Sequence, residues 1–175
     1  MNTTHVLYNP LAAGGAGTSG AMKLKNMLPK KTLVFHNLLE LDLPEFLDEL
    51  DADMPLIICG GDGTLHHFVN DAQGKLTGRK IYYYATGTGN DFLRDIGAQT
   101  HGGPVRIDRY LQNLPSVTVK GQSRLFLNGV GYGIDGYCCQ EGDRLHAAGE
   151  TSINYTKLQL RVYCSTTTRR GQGLP

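Results

Sequence analysis

The sequence has almost no excess charge of either sign and no long apolar segment. Seventeen lysine and arginine residues and 16 aspartate and glutamate residues give a formal net charge of +1 at pH 7. No basic run is long enough to form a nucleic-acid-binding tail, so we expect no nucleic-acid partner. No apolar run approaches the ~20 residues of a membrane-spanning helix, and the first residues lack the pattern of a signal peptide. We therefore expect a cytoplasmic protein, with peripheral binding to the inner face of the membrane as an alternative.

Cysteine is scarce and lacks the spacing of a metal site. The sequence contains four cysteines, none of them in a C-x-x-C pair: Cys59, Cys138, Cys139 and Cys164. Adjacent Cys138 and Cys139 cannot readily bind one metal ion as paired ligands. We expect buried or free thiols in a reducing compartment, and no metal ligands are identifiable in this chain.

Glycine, by contrast, is abundant and clustered. Of the 175 residues, 23 are glycine, roughly twice the usual share. More than half of them lie in four short clusters, Gly14–Gly20, Gly60–Gly63, Gly87–Gly89 and Gly129–Gly136. The lack of a three-residue period excludes a collagen-like repeat, and the flanking apolar runs exclude a disordered linker. Glycine is therefore used locally, where the backbone turns tightly or approaches a ligand closely.

The first half of the sequence alternates short strands with amphipathic helices. Apolar runs and helical spacings predict strands at 6–8, 32–35, 55–59 and 81–84, and helices at 19–28, 43–50, 65–72 and 90–96. This alternation indicates βαβ crossovers and a mainly parallel sheet. We predict an α/β fold, with a three-layer domain over residues 1–114.

The pattern changes after about Gly103. The segments Ser116–Val119 and Arg124–Asn128, with a turn between them, predict a β-hairpin, and Gly129–Ile134 continues the alternation. Antiparallel strands after an α/β region predict a second, β-rich domain over residues 115–175. About 60 residues are few for an independent core, so we expect this domain to be incomplete. Its open sheet edges favour self-association, with a homodimer as one form.

Three of the glycine clusters follow a predicted strand and precede a helix, where ligands bind in open α/β sheets. The first, Asn9–Gly17, lacks the lysine of the G-x-x-x-x-G-K-[ST] motif, which disfavours a P-loop NTPase. Taken alone, it is as compatible with a plain turn as with a phosphate-binding loop. The second, Gly60-Gly61-Asp62-Gly63-Thr64, places an acid between glycines. Asp62 or Thr64 could cap the next helix, or Asp62 could bind a cation or a hydroxyl group.

The third cluster repeats this chemistry in Gly87-Thr88-Gly89-Asn90-Asp91-Phe92, which combines glycines with a hydroxyl, an amide and an acid. Glycine-rich loops free backbone N–H groups to bind phosphate oxygens, and the following helix adds its positive N-terminal end. Together, the second and third clusters predict a site for a phosphorylated, metal-bearing ligand.

The Asn9-Pro10 segment with its glycines, Gly60–Thr64 and Gly87–Arg94 together resemble the diacylglycerol kinase catalytic domain. This family includes bacterial soluble lipid kinases and the sphingosine and ceramide kinases. The segment Phe126–Asp135 resembles the block that opens the family's second domain, and the resemblance covers about residues 6–155. The G-G-D-G-T motif is shared with NAD kinases and, in variant form, with phosphofructokinases. The Gly87–Arg94 block favours the lipid kinases.

The resemblance implies a three-layer nucleotide-binding domain like that of NAD kinases and phosphofructokinases, followed by the start of a β-sandwich. It implies transfer of a phosphoryl group from ATP, with Mg²⁺, to the hydroxyl of diacylglycerol or a related lipid, so a nucleotide and a lipid are the implied partners. Asp62 and Asp91 would act at the catalytic centre, where they organise Mg²⁺, water and the substrate hydroxyl. The implied nucleotide-binding residues are Asn9, Pro10, Gly14, Gly60, Gly61, Asp62, Gly63, Thr64, Leu65, His66, Gly87, Thr88, Gly89 and Asn90.

The sequence departs from the family's pattern in two respects. His66 stands where the family usually has asparagine, and the chain ends before the family's general-base glutamate and acidic metal-binding residues. From about residue 160 the tail has no apolar period, and one permitted back-translation read in another frame gives an apolar helical end and a strand start. We therefore expect a truncated or frameshifted product of a longer kinase. The alternatives are an NAD kinase-like enzyme and a catalytically inactive nucleotide-binding remnant.

Overall fold

A mainly parallel sheet organises the first part of the chain. The structure is a computed structural model and describes residues 3–72, 74–87, 89–131 and 134–148. The sheet has the order β2-β1-β3-β4-β5, in which β5 alone is antiparallel to its neighbour. Its strands are β1 Thr3–Tyr8, β2 Thr32–Asn37, β3 Leu56–Gly60, β4 Ile81–Ala85 and β5 Val105–Arg106. The predicted α/β fold is confirmed.

Helices connect these strands. They are α1 Ala12–Gly15, α2 Gly17–Met22, α3 Leu24–Met27, α4 Leu43–Glu49, α5 Asp62–Asp71 and α6 Asp91–Asp95, with a 3₁₀ helix at Asp108–Tyr110. The single helix predicted over 19–28 is instead a series of short helices that begins earlier. Ala13 and Gly14 both adopt left-handed conformations, with φ of 53° and 67°. This reversal interrupts the helical segment within α1, ahead of residue 19. Within 19–28 the division between α2 and α3 falls at Lys23.

Alternate side chains of the strands form two apolar clusters, one on each face of the sheet, as expected for a period of two. The larger cluster packs the strands against α4, α5 and α6, and contains Leu7, Leu47, Ile58, Phe68 and Tyr83 among others. The second packs them against α2 and α3, and contains Val6, Ala21, Leu24, Ile57, Cys59 and Tyr84. Every residue of β3 is buried, so this central strand holds both layers in place.

A separate hairpin follows the sheet. It consists of β6 Ser116–Val119, as predicted, and β7 Gln122–Leu125, which begins two residues before the predicted strand Arg124–Asn128 and ends three residues before it. The Asn70 side chain of α5 accepts the N–H of Leu125 at 2.9 Å and donates to its carbonyl at 3.0 Å. These two bonds tie the hairpin to α5. No helix among the described residues is long and apolar enough to cross a bilayer.

The chain divides into two compact units, Met1–Asn128 and Gly129–Pro175. In the second unit the structure describes a helix, α7 Ile134–Ala147. The predicted extension of the strands over Gly129–Ile134 is wrong at its described residues: 129–131 form no strand and Ile134 begins the helix. Glycine has a low strand propensity, which weakens the alternation there. The predicted boundary after residue 114 and the β-rich second domain stay predictions, and the tail from about residue 160 lies outside the described residues.

Candidate functional site

The three glycine-rich segments emerge at one edge of the sheet. Loop 1 (Asn9–Gly17) follows β1 and contains α1. Loop 2 (Gly60–Thr64) spans the end of β3 and the first turn of α5, and loop 3 (Gly87–Phe92) follows β4 and includes the first residues of α6. Strands β1, β3 and β4 are adjacent and parallel, so their carboxyl ends meet at the same edge. The structure therefore brings the three predicted segments together, apart from Thr88, which lies outside the described residues.

Loops 1 and 2 are joined by a side-chain hydrogen bond. The Asn9 Nδ2 donates to Thr64 Oγ1 at 3.4 Å, while Asn9 Oδ1 accepts the N–H of Leu11 at 2.9 Å. Thr64 is buried and packs directly on Gly60, where an added Cβ would lie only 2.4 Å from the Thr64 Cβ. The contact requires glycine at position 60 and fixes Thr64 beside loop 1.

Loops 2 and 3 approach each other through their backbones. An added Cβ at Gly87 would lie 2.8 Å from the Cα of Gly61, closer than real Cβ contacts allow. The carbonyl of Gly60 accepts the N–H of Thr86 at 2.9 Å and the hydroxyl of Tyr83 at 3.1 Å. Burial, followed by the nearby Asp62 charge, raises the pKa of Tyr83 above its usual range, so this hydroxyl remains a donor.

The Asp62 side chain caps α6 and not α5, the helix in which Asp62 itself lies. Gly61 is the N-cap of α5, and no side chain caps that helix, so the predicted capping of α5 by Asp62 or Thr64 is not what the structure shows. Instead, Asp62 Oδ2 accepts the N–H of Asp91 at 3.0 Å, and its Oδ1 accepts the N–H of Phe92 at 3.2 Å. Asp62 therefore fixes the start of α6 relative to α5.

The carboxylates of Asp62 and Asp91 border the same small space. An added Cβ at Gly89 would lie 3.1 Å from Asp62 Oδ2 and 3.8 Å from Asp91 Oδ2. The other Asp91 oxygen accepts a hydrogen bond from Arg94 Nη1 at 2.9 Å. Asn90, which directly precedes Asp91, is left-handed with φ of 55° and only 2 % exposed. Its Oδ1 has no hydrogen-bond partner among the described residues, as expected of a group that awaits a ligand or water.

A comparison with models of protein families identifies the family of this chain. The model of the diacylglycerol kinase catalytic domain matches residues 3–118, well over half of the chain and all three loops. The chain belongs to the diacylglycerol kinase catalytic domain family. Comparisons with curated proteins and with solved structures found no match. Members of this kinase family use ATP and typically a divalent metal.

Asp62 and Asp91 give the candidate site two carboxylates for a metal ion. Among the described residues, no group of three or more histidine, cysteine, aspartate or glutamate side chains could hold one. Mg²⁺ is commonly bound by one or two carboxylates together with substrate phosphates and water. Asp62 and Asp91 therefore fit a magnesium ion that protein and nucleotide hold jointly.

A cavity of about 560 Å³ lies beside loops 1 and 2, within the size range of small-molecule sites. It is lined by Asn9 and Thr64, by His67, Phe68 and Asp71 of α5, and by residues of the segment after β2, Leu38, Leu39 and Leu41–Pro44. The sequence interpretation missed this segment and His67. The segment after β2 could have been recognised as part of the site, because β2 lies next to β1 in the sheet and ends at the same edge.

The other residues implied to bind nucleotide differ in their location and burial. Pro10 and Gly14 lie in loop 1, and Gly63 is exposed in the first turn of α5. Leu65 is fully buried in the core, so its side chain cannot reach a nucleotide. His66 does not line the 560 Å³ cavity, and burial, with smaller contributions from nearby charges, lowers its pKa.

Proposed function

We propose that the protein transfers the γ-phosphoryl group of ATP to the hydroxyl group of diacylglycerol or a related lipid. The observation that carries this proposal is the convergence of Asp62 and Asp91, which border one space beside Gly89. Phosphoryl transfer depends on positioning and charge neutralisation more than on covalent chemistry. Two carboxylates among glycine-rich backbone suit that requirement.

The uncapped start of α5 supports a phosphate site at loop 2. Gly61 provides no capping side chain, so the first amides of a ten-residue helix stay available to phosphate oxygens. Under the proposal, the phosphates lie over Gly61–Thr64, and Asn9 approaches them from loop 1. The adjoining cavity, with Leu38, Leu41 and Phe68 in its wall, offers apolar surface for a nucleotide base.

Asp62 has a positioning role that follows from its hydrogen bonds. Because it accepts the amides of Asp91 and Phe92, it orients loop 3 toward loop 2 and holds the two carboxylates together. When bound, Mg²⁺ neutralises negative charge on the phosphates. Asp62 and Asp91 would hold it, and would orient the acceptor hydroxyl beside Gly89.

A radiolabelled transfer assay tests the proposal. Purified protein is incubated with γ-labelled ATP and Mg²⁺, with either diacylglycerol in detergent micelles or NAD⁺ as the acceptor, and the products are separated by thin-layer chromatography. The proposal predicts labelled phosphatidic acid and no labelled NADP⁺. Labelled NADP⁺ alone would favour the NAD kinase-like alternative. ATP binding in calorimetry without transfer to either acceptor would identify an inactive remnant.

Two further proposals concern association. A lipid acceptor requires contact with a membrane surface, and the open hairpin and edge strand β2 favour self-association into a homodimer. Size-exclusion chromatography with light scattering tests the second point, because a monodisperse monomer at all concentrations would exclude a homodimer.

A further inference from the structure

Arg94 forms an ion pair inside the candidate site. Its Nη1 lies 2.9 Å from Asp91 Oδ1, one turn away in α6. The other oxygen of Asp91 is the one that borders the space beside Gly89. A single carboxylate therefore offers one oxygen to a guanidinium and the other to the place proposed for a metal ion.

The two carboxylates of the site are held in different ways. Asp62 accepts two main-chain amides of α6, whereas Asp91 is held by the charged side chain of Arg94. The side chains of Arg94 and Asp91 are 60 % and 66 % exposed, and exposed ion pairs of this kind are weak. A stronger ligand of either partner can therefore displace the Arg94–Asp91 pair.

The charge around this space favours one form of a metal ion over another. The carboxylates of Asp62 and Asp91 attract a free cation, and the guanidinium beside them reduces that attraction. A nucleotide complex of Mg²⁺ carries net negative charge, which two bare carboxylates would repel and a guanidinium attracts. Arg94 therefore disfavours a free metal ion and favours one that is bound to phosphate.

The position of Arg94 allows it to contact either partner. A phosphate on a metal ion shared with Asp91 would adjoin that carboxylate, and Arg94 already contacts the carboxylate's other oxygen. Arginine donors suit phosphate as well as carboxylate oxygens. Because the Arg94 side chain is exposed, a rotation of that side chain is enough to move its donors from one to the other.

We infer that Arg94 makes binding of the metal ion depend on binding of the nucleotide. Arg94 pairs with Asp91 in the absence of nucleotide, and it passes its hydrogen bond to a phosphate oxygen when metal and nucleotide bind together. Free divalent cations are thereby kept from Asp62 and Asp91 until phosphate is present. The inference rests on the proposed function, because it takes ATP as the phosphate donor.

Two binding measurements on the full chain test this inference without turnover. Binding of free Mn²⁺ is measured by electron paramagnetic resonance, and binding of a non-hydrolysable ATP analogue with Mg²⁺ by calorimetry. The test variant is Arg94→Met, which removes the charge and keeps an unbranched side chain. The matched control is Arg106→Met, because Arg106 pairs with Asp108 at 2.7 Å and is 59 % exposed, but lies on β5. Urea unfolding confirms that both variants are folded.

The two measurements should shift in opposite directions in Arg94→Met. Free Mn²⁺ should bind about 2- to 5-fold more tightly, the range expected from an exposed charge pair, and the nucleotide complex should bind more weakly by a similar factor. Arg94→Lys should lie closer to wild type, and Arg106→Met should bind both probes like wild type. Shifts in the same direction would indicate a purely structural pair and would overturn the inference, as would unchanged binding of Mn²⁺.

A further pair of variants tests whether Arg94 acts through Asp91. Asp91→Asn removes the carboxylate charge, so adding Arg94→Met to it should change the affinity for Mn²⁺ less than Arg94→Met does alone. An equal change in both backgrounds would show that Arg94 does not compete with the metal ion for Asp91, and would overturn the exchange.

These outcomes are distinct from success or failure of the proposed kinase activity. Opposite shifts in a protein that transfers phosphate to neither acceptor would retain the role of Arg94 and reject the kinase. Transfer to diacylglycerol by a protein whose two affinities shift in parallel would retain the kinase and reject the role of Arg94.

Discussion

The carboxylate of Asp62 accepts the main-chain amide of Asp91 at 3.0 Å, across 29 residues of sequence. An acid from the second glycine-rich loop thereby holds the third loop in place. The same hydrogen bond keeps the two carboxylates at one point on the edge of the sheet. Substitutions at Asp62 can therefore separate its structural role from its chemical one.

Two substitutions at Asp62 should give different results. Asp62→Ala removes both acceptors of the α6 amides and should lower the free energy of unfolding by about 1 kcal/mol, as loss of a helix cap does. Asp62→Asn retains one carbonyl acceptor and should cost less. Both should abolish phosphoryl transfer, because the negative charge is lost. Urea unfolding and the labelled-ATP assay measure the two effects, and an active Asp62→Asn variant would contradict the proposed role.

Gly87→Ala should separate loops 2 and 3. The new Cβ would lie 2.8 Å from the Gly61 Cα, and backbone cannot yield as a flexible side chain does. We expect a loss of about 1–3 kcal/mol in stability and weaker ATP binding in calorimetry. Gly103→Ala is the control, since an added Cβ there meets nothing within 4 Å. Equal stability of the two variants would refute the close approach.

Arg79 should be a major contributor to stability. It is 8 % exposed, and its guanidinium donates to the carbonyls of Leu47, Leu50 and Asp51 around the end of α4. Arg79→Met keeps an apolar side chain but leaves these carbonyls without their charged donor. We expect a loss of about 3 kcal/mol in urea unfolding.

A surface arginine provides the comparison for Arg79. Arg106 pairs with Asp108 at 2.7 Å, but its side chain is 59 % exposed. Because exposed ion pairs add little to stability, Arg106→Met should unfold at the wild-type urea midpoint. A larger loss for Arg106→Met than for Arg79→Met would show that the buried contacts of Arg79 are not important.

Two histidines on neighbouring strands form a direct hydrogen bond. His5 Nδ1 and His36 Nε2 are 2.9 Å apart, and the ring centres are 5.1 Å apart with 21° between the planes. The rings therefore lie nearly side by side, so one nitrogen donates and the other accepts. Phe46 packs on both rings, with its centre 4.6 Å from that of His36.

This pair should make the protein less stable in mild acid. Burial lowers the pKa of both histidines, and the proximity of His5 lowers that of His36 further. As the pH falls through 6.5, the usual value, the unfolded chain binds protons first, so stability is full above that pH and declines below it. His36→Gln should show a shallower decline in melting temperature, whereas His101→Gln should retain it. A wild-type melting temperature that rises on acidification would contradict this expectation.

The parallel sheet could be predicted because its signals are local. Each of β1 to β4 is a short apolar run bounded by glycine, proline or a charged segment, and helical spacings lie between them. Strand β5 could not be predicted, since Val105–Arg106 has only two residues and no pattern. The helix predicted over 19–28 is divided at Lys23 into α2 and α3, and the apolar spacing did not indicate that division.

The three loops of the candidate site could be predicted from residue types, but not their contacts. Asp62 could be recognised as an unusual acid. Its hydrogen-bond partners, however, lie 29 and 30 residues away at the start of α6, and the contact depends on where α6 packs in the fold. The pairing of His5 with His36 depends on the β1–β2 register, in which Leu7 lies opposite His36. Such registers are set by packing across the whole sheet, not by local sequence.

The most direct test of the central claim is a crystal structure with Mg²⁺ and a non-hydrolysable ATP analogue. If the three loops form one nucleotide site, the phosphates will lie against the Gly61–Thr64 backbone, with Asp62 and Asp91 facing the metal and the base in the cavity beside Asn9. A nucleotide bound away from this edge of the sheet, with loops 1 to 3 free of contact, would contradict the account.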